Sequence, residues 1–121
     1  MRKDEHILQC ELVRWFSYKY PQYSKYLFAI PNGGARDVVT GSLLKAEGVK
    51  RGVPDLFLAI PSNNFHGLFI EVKTEKGRLS KYQIDMIIAL QSKNYKCEVV
   101  RMIDDFMFVI EKYLTRDELY E

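Results

Sequence analysis

The chain has 121 residues, of which 47% are hydrophobic and 28% charged, with a formal net charge of +2. This length predicts one domain, residues 1–121, that buries roughly two-thirds of its unfolded surface. Its longest apolar runs, such as Leu56 to Ile60, are far below the roughly 20 residues of a membrane span, and MRKDEHILQC at the start lacks a signal peptide's apolar stretch. We therefore expect an intracellular, cytoplasmic protein without a membrane partner.

Charge and cysteine placement narrow the function classes. Residues 1–102 hold 16 Lys/Arg and 10 Asp/Glu, whereas residues 103–121 hold 2 and 6. A polyanion should prefer the first part, although a solvated surface with an acidic tail explains the same counts. Cys10 and Cys97 have no CxxC spacing and no histidine cluster beside them. They predict two buried, reduced thiols and argue against a disulfide framework or a zinc site.

The first third of the chain alternates helix and strand patterns. Apolar residues at three- and four-residue spacing predict a helix from Asp4 to about Tyr20, just before Pro21. KYLFAI (25–30) predicts a short strand that ends at the turn PNGG (31–34). A second helix, carrying an apolar face that begins at Val38, is predicted to stop near Gly48.

The remaining chain adds a hairpin and a final alternation. Residues 56–60 and 68–73 predict antiparallel strands around the loop PSNNFHG, and a helix opens at Ser80. KCEVVR (96–101) predicts another strand, and a stripe from Ile103 to Leu114 predicts the last helix. The order αβαββαβα predicts an α/β fold in which helices flank both faces of a central mixed β-sheet.

Three charged residues interrupt the apolar hairpin. If the loop turns at its middle residue, Asp55 falls beside Val72 and Lys73, and strand alternation turns Glu71 and Lys73 to one face. A cross-strand salt bridge on a solvated face is the structural alternative. The strand 56–60 is apolar throughout, however, as expected of a strand covered on both sides, where an idle ion pair is costly. This favours a functional cluster.

The first helix carries a further acid within its apolar stripe. Glu11 has Leu8 before it and Leu12 and Trp15 after it, at spacings that share a helical face. A carboxylate there either faces a polar interior or cleft, or lies at the edge of the stripe beside a lysine. The helix alone does not separate these interpretations.

Carboxylates without histidine or cysteine are hard oxygen ligands, which suit Mg²⁺ or Mn²⁺. Such a cation polarises a phosphoryl oxygen and brings water toward hydroxide, while an adjacent lysine orients the water or offsets charge. The residue types therefore predict phosphodiester hydrolysis.

Several segments resemble a known nuclease family. PD at 54–55 followed by EVK at 71–73 resembles the PD-(D/E)XK signature. IPNGG (30–34), LKAEGVKRGVPD (44–55) and GLFIEVKTEKGRLSKYQ (67–83) resemble the VRR-NUC family of virus-type replication and repair nucleases. The resemblance implies a single restriction-endonuclease-like domain of viral or bacterial origin. It also implies a Mg²⁺- or Mn²⁺-dependent, structure-selective DNA endonuclease that acts on branched DNA, of a Holliday-junction-resolving type, as a homodimer.

Other functions remain open from the sequence. The alternatives are a branched-DNA-binding module without catalysis, a flap- or nick-directed nuclease of the same fold, and an interaction protein that works through its acidic tail.

The resemblance also implies site residues. The metal ligands would be Asp55, Glu71, Glu11 and the carbonyl of Val72. Lys73 would assist the attacking water, and Gln83 would complete the catalytic set. Gln83 equally fits a capping box with Ser80, and the two roles are compatible. The predicted DNA-binding residues share a position on turns, loops and helix starts: Asn32, Gly33, Gly34, Arg36, Lys50, Arg51, Lys76, Arg78 and Lys81.

Overall fold

The computed structural model describes residues 3–31 and 38–115. Its elements, in chain order, are helix α1 (Lys3–Lys19), a 3₁₀ helix (Pro21–Tyr26), strand β1 (Leu27–Ala29), helix α2 (Val38–Ala46), strands β2 (Leu56–Leu58) and β3 (Leu68–Val72), helix α3 (Lys81–Ser92), strand β4 (Lys96–Val100) and helix α4 (Ile103–Leu114). The predicted order is confirmed, and the 3₁₀ helix is the one addition. Pro21 explains it, because proline ends α1 and starts a tight turn.

The four strands form one mixed sheet in the order β1-β2-β3-β4. The first two pairings are antiparallel and β3 pairs with β4 in parallel, with α3 as the crossover that a parallel pair requires. Leu56 pairs with Ile70 in the hairpin, two positions from the register expected from the sequence. The chain turns early, at Asn63 and Asn64, whose φ angles of 52° and 69° asparagine tolerates better than most residues.

Helices α1 and α4 cover one face of the sheet. Their buried side chains, with those of the strands, form the core: Leu12, Phe16, Leu27, Leu56, Leu58, Leu68, Ile70, Val72, Val100, Phe106, Ile110 and Tyr113. Burying each large apolar side chain contributes about 1.5–3 kcal/mol. The Tyr113 hydroxyl donates to the carbonyl of Ile60 at 2.6 Å, which ties α4 to the hairpin.

The opposite face is built around stacked aromatic rings. The ring centroids of Phe57 and Phe69 are 4.4 Å apart, Tyr95 stands edge-on to both, and α3 packs against β4. All five residues of β3 are buried as a result. Glu71, which follows Phe69 on this face, therefore sits where solvent cannot readily screen its charge.

The burial of the two cysteines differs from the expectation. Both cysteines are free thiols, but Cys10 is exposed on α1 and Cys97 is half-buried, so the prediction that both are buried is wrong. Cys10 lies on the outer side of α1, away from Leu12 and Phe16. Within residues 3–31 and 38–115, none of the helices combines the length and hydropathy that a bilayer crossing requires.

Candidate active site

Asp55, Glu71 and Lys73 meet at one end of the sheet, where β2 begins and β3 ends, and we call them the hairpin cluster. The Val72 backbone N–H donates to Oδ2 of Asp55 at 2.7 Å, and Lys73 Nζ lies 3.9 Å from Oε2 of Glu71. Glu71 is 3% exposed and Lys73 6%. An ion pair buried this deeply differs from a solvated surface salt bridge.

Burial and mutual repulsion change the acidity of the two carboxyl groups. Burial, followed by the charge of Asp55, raises the pKa of Glu71 to about 8. Burial also raises the pKa of Asp55, against the Val72 N–H and the Lys73 charge, which favour its ionised form. The two carboxyl groups repel each other when both are ionised, and this repulsion favours a proton on Glu71. A bound cation would therefore compete with a proton for Glu71.

The side-chain amide of Gln83 forms hydrogen bonds both to the start of α3 and to the cluster. Its Oε1 accepts from Ser80 N–H at 2.8 Å, and Ser80 Oγ accepts from Gln83 N–H at 3.2 Å, which completes a capping box. Because the cap uses the amide oxygen, Nε2 is free to donate to Oε2 of Glu71 at 3.1 Å. The capping box predicted from the sequence is confirmed, and Gln83 also contacts Glu71, whereas its catalytic role stays a prediction.

One oxygen of Glu71 lacks a hydrogen-bond donor in the part of the chain that the structure describes. Its Oε1 is buried and, among the residues that the structure describes, meets no hydrogen-bond donor. An ionised oxygen in that position costs free energy unless a cation approaches it. Asp55 and Glu71 supply a hard, oxygen-only donor set that fits Mg²⁺ or Mn²⁺.

The described ranges contain no group of three Asp, Glu, His or Cys side chains close enough to hold a metal ion by themselves. This is compatible with magnesium, which commonly uses one or two carboxylates and keeps several waters.

The acid that α1 turns toward the cluster is Glu5. Glu5 is buried at 6% exposure, and its negative charge raises the pKa of both Asp55 and Glu71. Glu11 is exposed, so of the two interpretations left open for it the structure favours a position at the edge of the stripe, and its role as a metal ligand stays a prediction. At about 100° per residue, Glu11 lies about 120° around the helix from Glu5. Glu5 lies seven residues before Leu12, and Phe16 follows four residues later, so the three side chains share one face of the helix. This spacing could have identified Glu5 from the sequence, but the apolar pair Ile7 and Leu8 suggested a different inward face.

The predicted DNA-binding residues fall into two groups. Lys50, Arg51, Lys76, Arg78 and Lys81 are all exposed, on the turn before β2, the loop after β3 and the start of α3. Asn32, Gly33, Gly34 and Arg36 lie outside the described residues. Val72, predicted as a carbonyl ligand, ends β3 opposite Val100, with its N–H committed to Asp55.

Two backbone contacts that the sequence did not reveal fix the segments around the cluster. The Arg101 guanidinium donates through Nη1 to the carbonyls of Thr74, at 2.8 Å, and Gly77, at 2.6 Å, which holds the loop directly after Lys73. On the other side, Gly52 approaches the first turn of α3 so closely that an added Cβ would lie 2.2 Å from the Tyr82 carbonyl oxygen. The loop after Lys73 and the turn at Gly52 are therefore both held in place next to the cluster.

The sheet brings the half-buried Asp55 and the buried Glu71 and Lys73 to adjoining strand ends, which is the arrangement that the PD-(D/E)XK signature predicts. The comparisons with known proteins agree. The model of the VRR-NUC domain matches residues 1–102, and a solved structure described as a VRR_NUC domain protein is 26% identical, with a TM-score of 0.78 over 91% of this chain and 87% of that one. None of the curated proteins searched matches the chain. The chain belongs to the VRR-NUC domain family, a family of nucleases.

Proposed function

We propose that this protein is a Mg²⁺- or Mn²⁺-dependent, structure-selective endonuclease that hydrolyses phosphodiester bonds in branched DNA, including four-way junctions. The observation that carries the proposal is the convergence of the half-buried Asp55 and the buried Glu71 beside Lys73, with one Glu71 oxygen that meets no donor among the described residues. Structural ion pairs seldom combine like-charge neighbours with an unsatisfied oxygen.

Each side chain of the hairpin cluster has a role in this proposal. Asp55 and Glu71 hold the cation, the carbonyl of Val72 is a further candidate ligand, and Glu5 adds negative charge behind them. When bound, the cation supplies Lewis acidity toward the phosphoryl oxygen and acidifies water. Lys73 orients the attacking water and offsets charge that develops on the phosphate. Gln83 fixes the orientation of Glu71 through its 3.1 Å hydrogen bond, as partners outside the ligand set commonly do.

The raised pKa of Glu71 predicts a pH dependence of metal binding. Because its pKa is about 8, binding of Mg²⁺ below that pH must displace a proton. We expect the apparent affinity for Mg²⁺ to rise by up to about tenfold per pH unit between about pH 6 and 8, and to level off above. The Mg²⁺ concentration for half-maximal cleavage at several pH values measures it. An affinity that is constant over this range would contradict the proposed proton release.

The raised pKa of Glu71 also affects the stability of the metal-free protein. The folded pKa of Glu71 lies above its ordinary value of 4.5, so its contribution to stability is fully present below about pH 4.5 and is lost as the pH rises through 8. Mg²⁺ should therefore raise the melting temperature more at about pH 8.5 than at about pH 6.

Glu5 and Glu11, both on α1, provide a matched comparison. Glu5→Gln is expected to lower cleavage and Mg²⁺ affinity by about 10- to 100-fold, because it removes a buried charge behind the metal ligands. Glu11→Gln should stay within about twofold of the wild type, because Glu11 is exposed. Steady-state cleavage and Mg²⁺ titration of both variants test this. The reverse ranking would restore Glu11 as the acid of the site.

The DNA is expected to lie along the exposed cations beside the cluster, which bind phosphates without reading bases. Lys76 and Arg78 belong to the loop that Arg101 holds, and Lys50 and Arg51 precede β2. A two-fold homodimer would set two such sites on paired strands of a junction, and the exposed apolar side chains Ile84 and Ile88 on α3 support this arrangement.

The decisive experiment incubates the protein with labelled linear duplex, nicked duplex, flap and four-way junction DNA, with Mg²⁺, Mn²⁺ or EDTA. The proposal expects metal-dependent cuts, fastest on branched substrates and paired across the junction. Binding without cleavage under all conditions would indicate a non-catalytic module, and preference for flaps or nicks would redirect the substrate assignment. An absence of DNA binding at low salt would overturn the nucleic-acid function itself.

A further inference from the structure

Arg51 and Tyr82 form an exposed aromatic–cation pair on the rim of the hairpin cluster. The guanidinium carbon of Arg51 lies 4.7 Å from the centroid of the Tyr82 ring. The Tyr82 residue is nevertheless 53% exposed, so much of it faces solvent although a cation lies over the ring. The exposed part of this ring offers an apolar surface on which a planar group can stack.

The backbone fixes this pair relative to the cluster. Tyr82 directly precedes Gln83, which donates to Glu71, and Arg51 lies four residues before Asp55. Gly52, with a φ of +83°, brings the turn of Arg51 against the carbonyl of Tyr82, where no side chain would fit. Arg51 and Tyr82 therefore lie on two separate segments, and each is close in sequence to a residue of the cluster or to its partner Gln83.

From this arrangement we infer that Tyr82 and Arg51 form a stacking subsite for an unpaired nucleobase next to the phosphate that is cut. The inference rests on the proposed nuclease function and names the feature of the substrate that the site selects. Aromatic rings and planar guanidinium groups both stack on bases, and they do so without sequence preference. A phosphate needs only a cation, so an exposed ring adds nothing to phosphate binding alone.

Selectivity for branched DNA follows from base accessibility. In an intact duplex the neighbouring base pairs cover both faces of each base, whereas at a branch, flap or nick a base can leave the stack at low cost. A stacking subsite beside the scissile phosphate therefore stabilises the complex only when such a base is available. This gives structure selectivity without any sequence-reading contact.

The test compares Tyr82→Ala with Tyr82→Phe, which keeps the ring. Tyr18→Ala is the control, because it removes an 85% exposed tyrosine from α1. We expect Tyr82→Ala to lower kcat/KM on flap and junction DNA by about 5- to 100-fold and on intact duplex by no more than about twofold. Tyr82→Phe and Tyr18→Ala should resemble the wild type on all substrates. Arg51→Lys, which keeps the charge but not the planar group, should show a partial loss on branched DNA.

A second readout does not require cleavage. A junction with 2-aminopurine at the branch, bound in EDTA at low salt, should lose fluorescence with the wild type and Tyr82→Phe but not with Tyr82→Ala. Equal loss of cleavage on every substrate, or identical fluorescence with and without the ring, would overturn the subsite. If the wild type cuts no DNA, the proposed nuclease function fails, and the fluorescence measurement alone decides whether the pair stacks a base.

Discussion

Asp55→Asn is expected to lower metal-dependent cleavage by at least about 10²-fold while leaving the protein folded. The asparagine Oδ1 can still accept the Val72 N–H that Asp55 accepts at 2.7 Å, so local packing is kept. The change removes one of two like charges in a buried site, and the metal-free protein should be as stable as the wild type or more so. Cleavage assays together with thermal unfolding with and without Mn²⁺ measure both effects.

The thermal measurement separates a ligand from a merely acidic neighbour. Asp55→Asn should abolish the stabilisation by Mn²⁺, since stabilisation requires binding to the folded state. Asp85→Asn, an exposed acid on α3, is the matched control and should keep both cleavage and the Mn²⁺ effect. If Asp55→Asn retained wild-type cleavage, the metal-dependent mechanism would be wrong.

Lys73→Met is the complementary variant. Methionine fills the buried path of the lysine stem, so the fold should persist, but the ammonium group 3.9 Å from Glu71 is lost. We expect cleavage to fall by about 10²- to 10³-fold while Mn²⁺ still raises the melting temperature. Loss of Mn²⁺ stabilisation in this variant would instead assign Lys73 a role in shaping the metal site.

Gly52→Ala is expected to have the largest effect on stability. The φ of Gly52 is +83°, and an added Cβ would meet backbone atoms of Tyr82 at 2.2 and 2.4 Å. The left-handed conformation costs about 1–2 kcal/mol for a residue with a side chain, and the contact forces the first turn of α3 to move. That movement would displace Gln83 from Glu71. We therefore expect a loss of more than about 2 kcal/mol in the free energy of unfolding, and impaired cleavage.

Gly48 provides the control for this prediction. Its φ is +104°, but an added Cβ would meet nothing within 4 Å in the described structure. Gly48→Ala should therefore show the conformational cost of about 1–2 kcal/mol with cleavage unchanged. Urea unfolding and cleavage assays on both variants separate backbone strain from the contact with α3. Equal effects of the two substitutions would show that the contact with Tyr82 does not matter.

Local sequence patterns were sufficient to predict the order of helices and strands and the position of the hairpin cluster. Periodicity and turn residues determined the element order, and the two apolar strands around PSNNFHG determined that Asp55, Glu71 and Lys73 would meet. Ser80 and Gln83 defined the start of α3. These features depend on residues close in sequence, or joined by one short turn, where strand alternation and capping geometry leave few choices.

The tertiary structure decided the rest. The apolar stripe of α1 allowed more than one inward face, and docking against the sheet buried Glu5 and left Glu11 and Ile7 exposed. The turn at Asn63 and Asn64 set a hairpin register that composition could not specify. The meeting of Arg51 with Tyr82 depends on the approach of Gly52 to α3. The physical reason is the same in all three cases. The periodicity of a helix or strand fixes the direction of each side chain on that element, but the surface that the side chain meets is formed by residues distant in sequence.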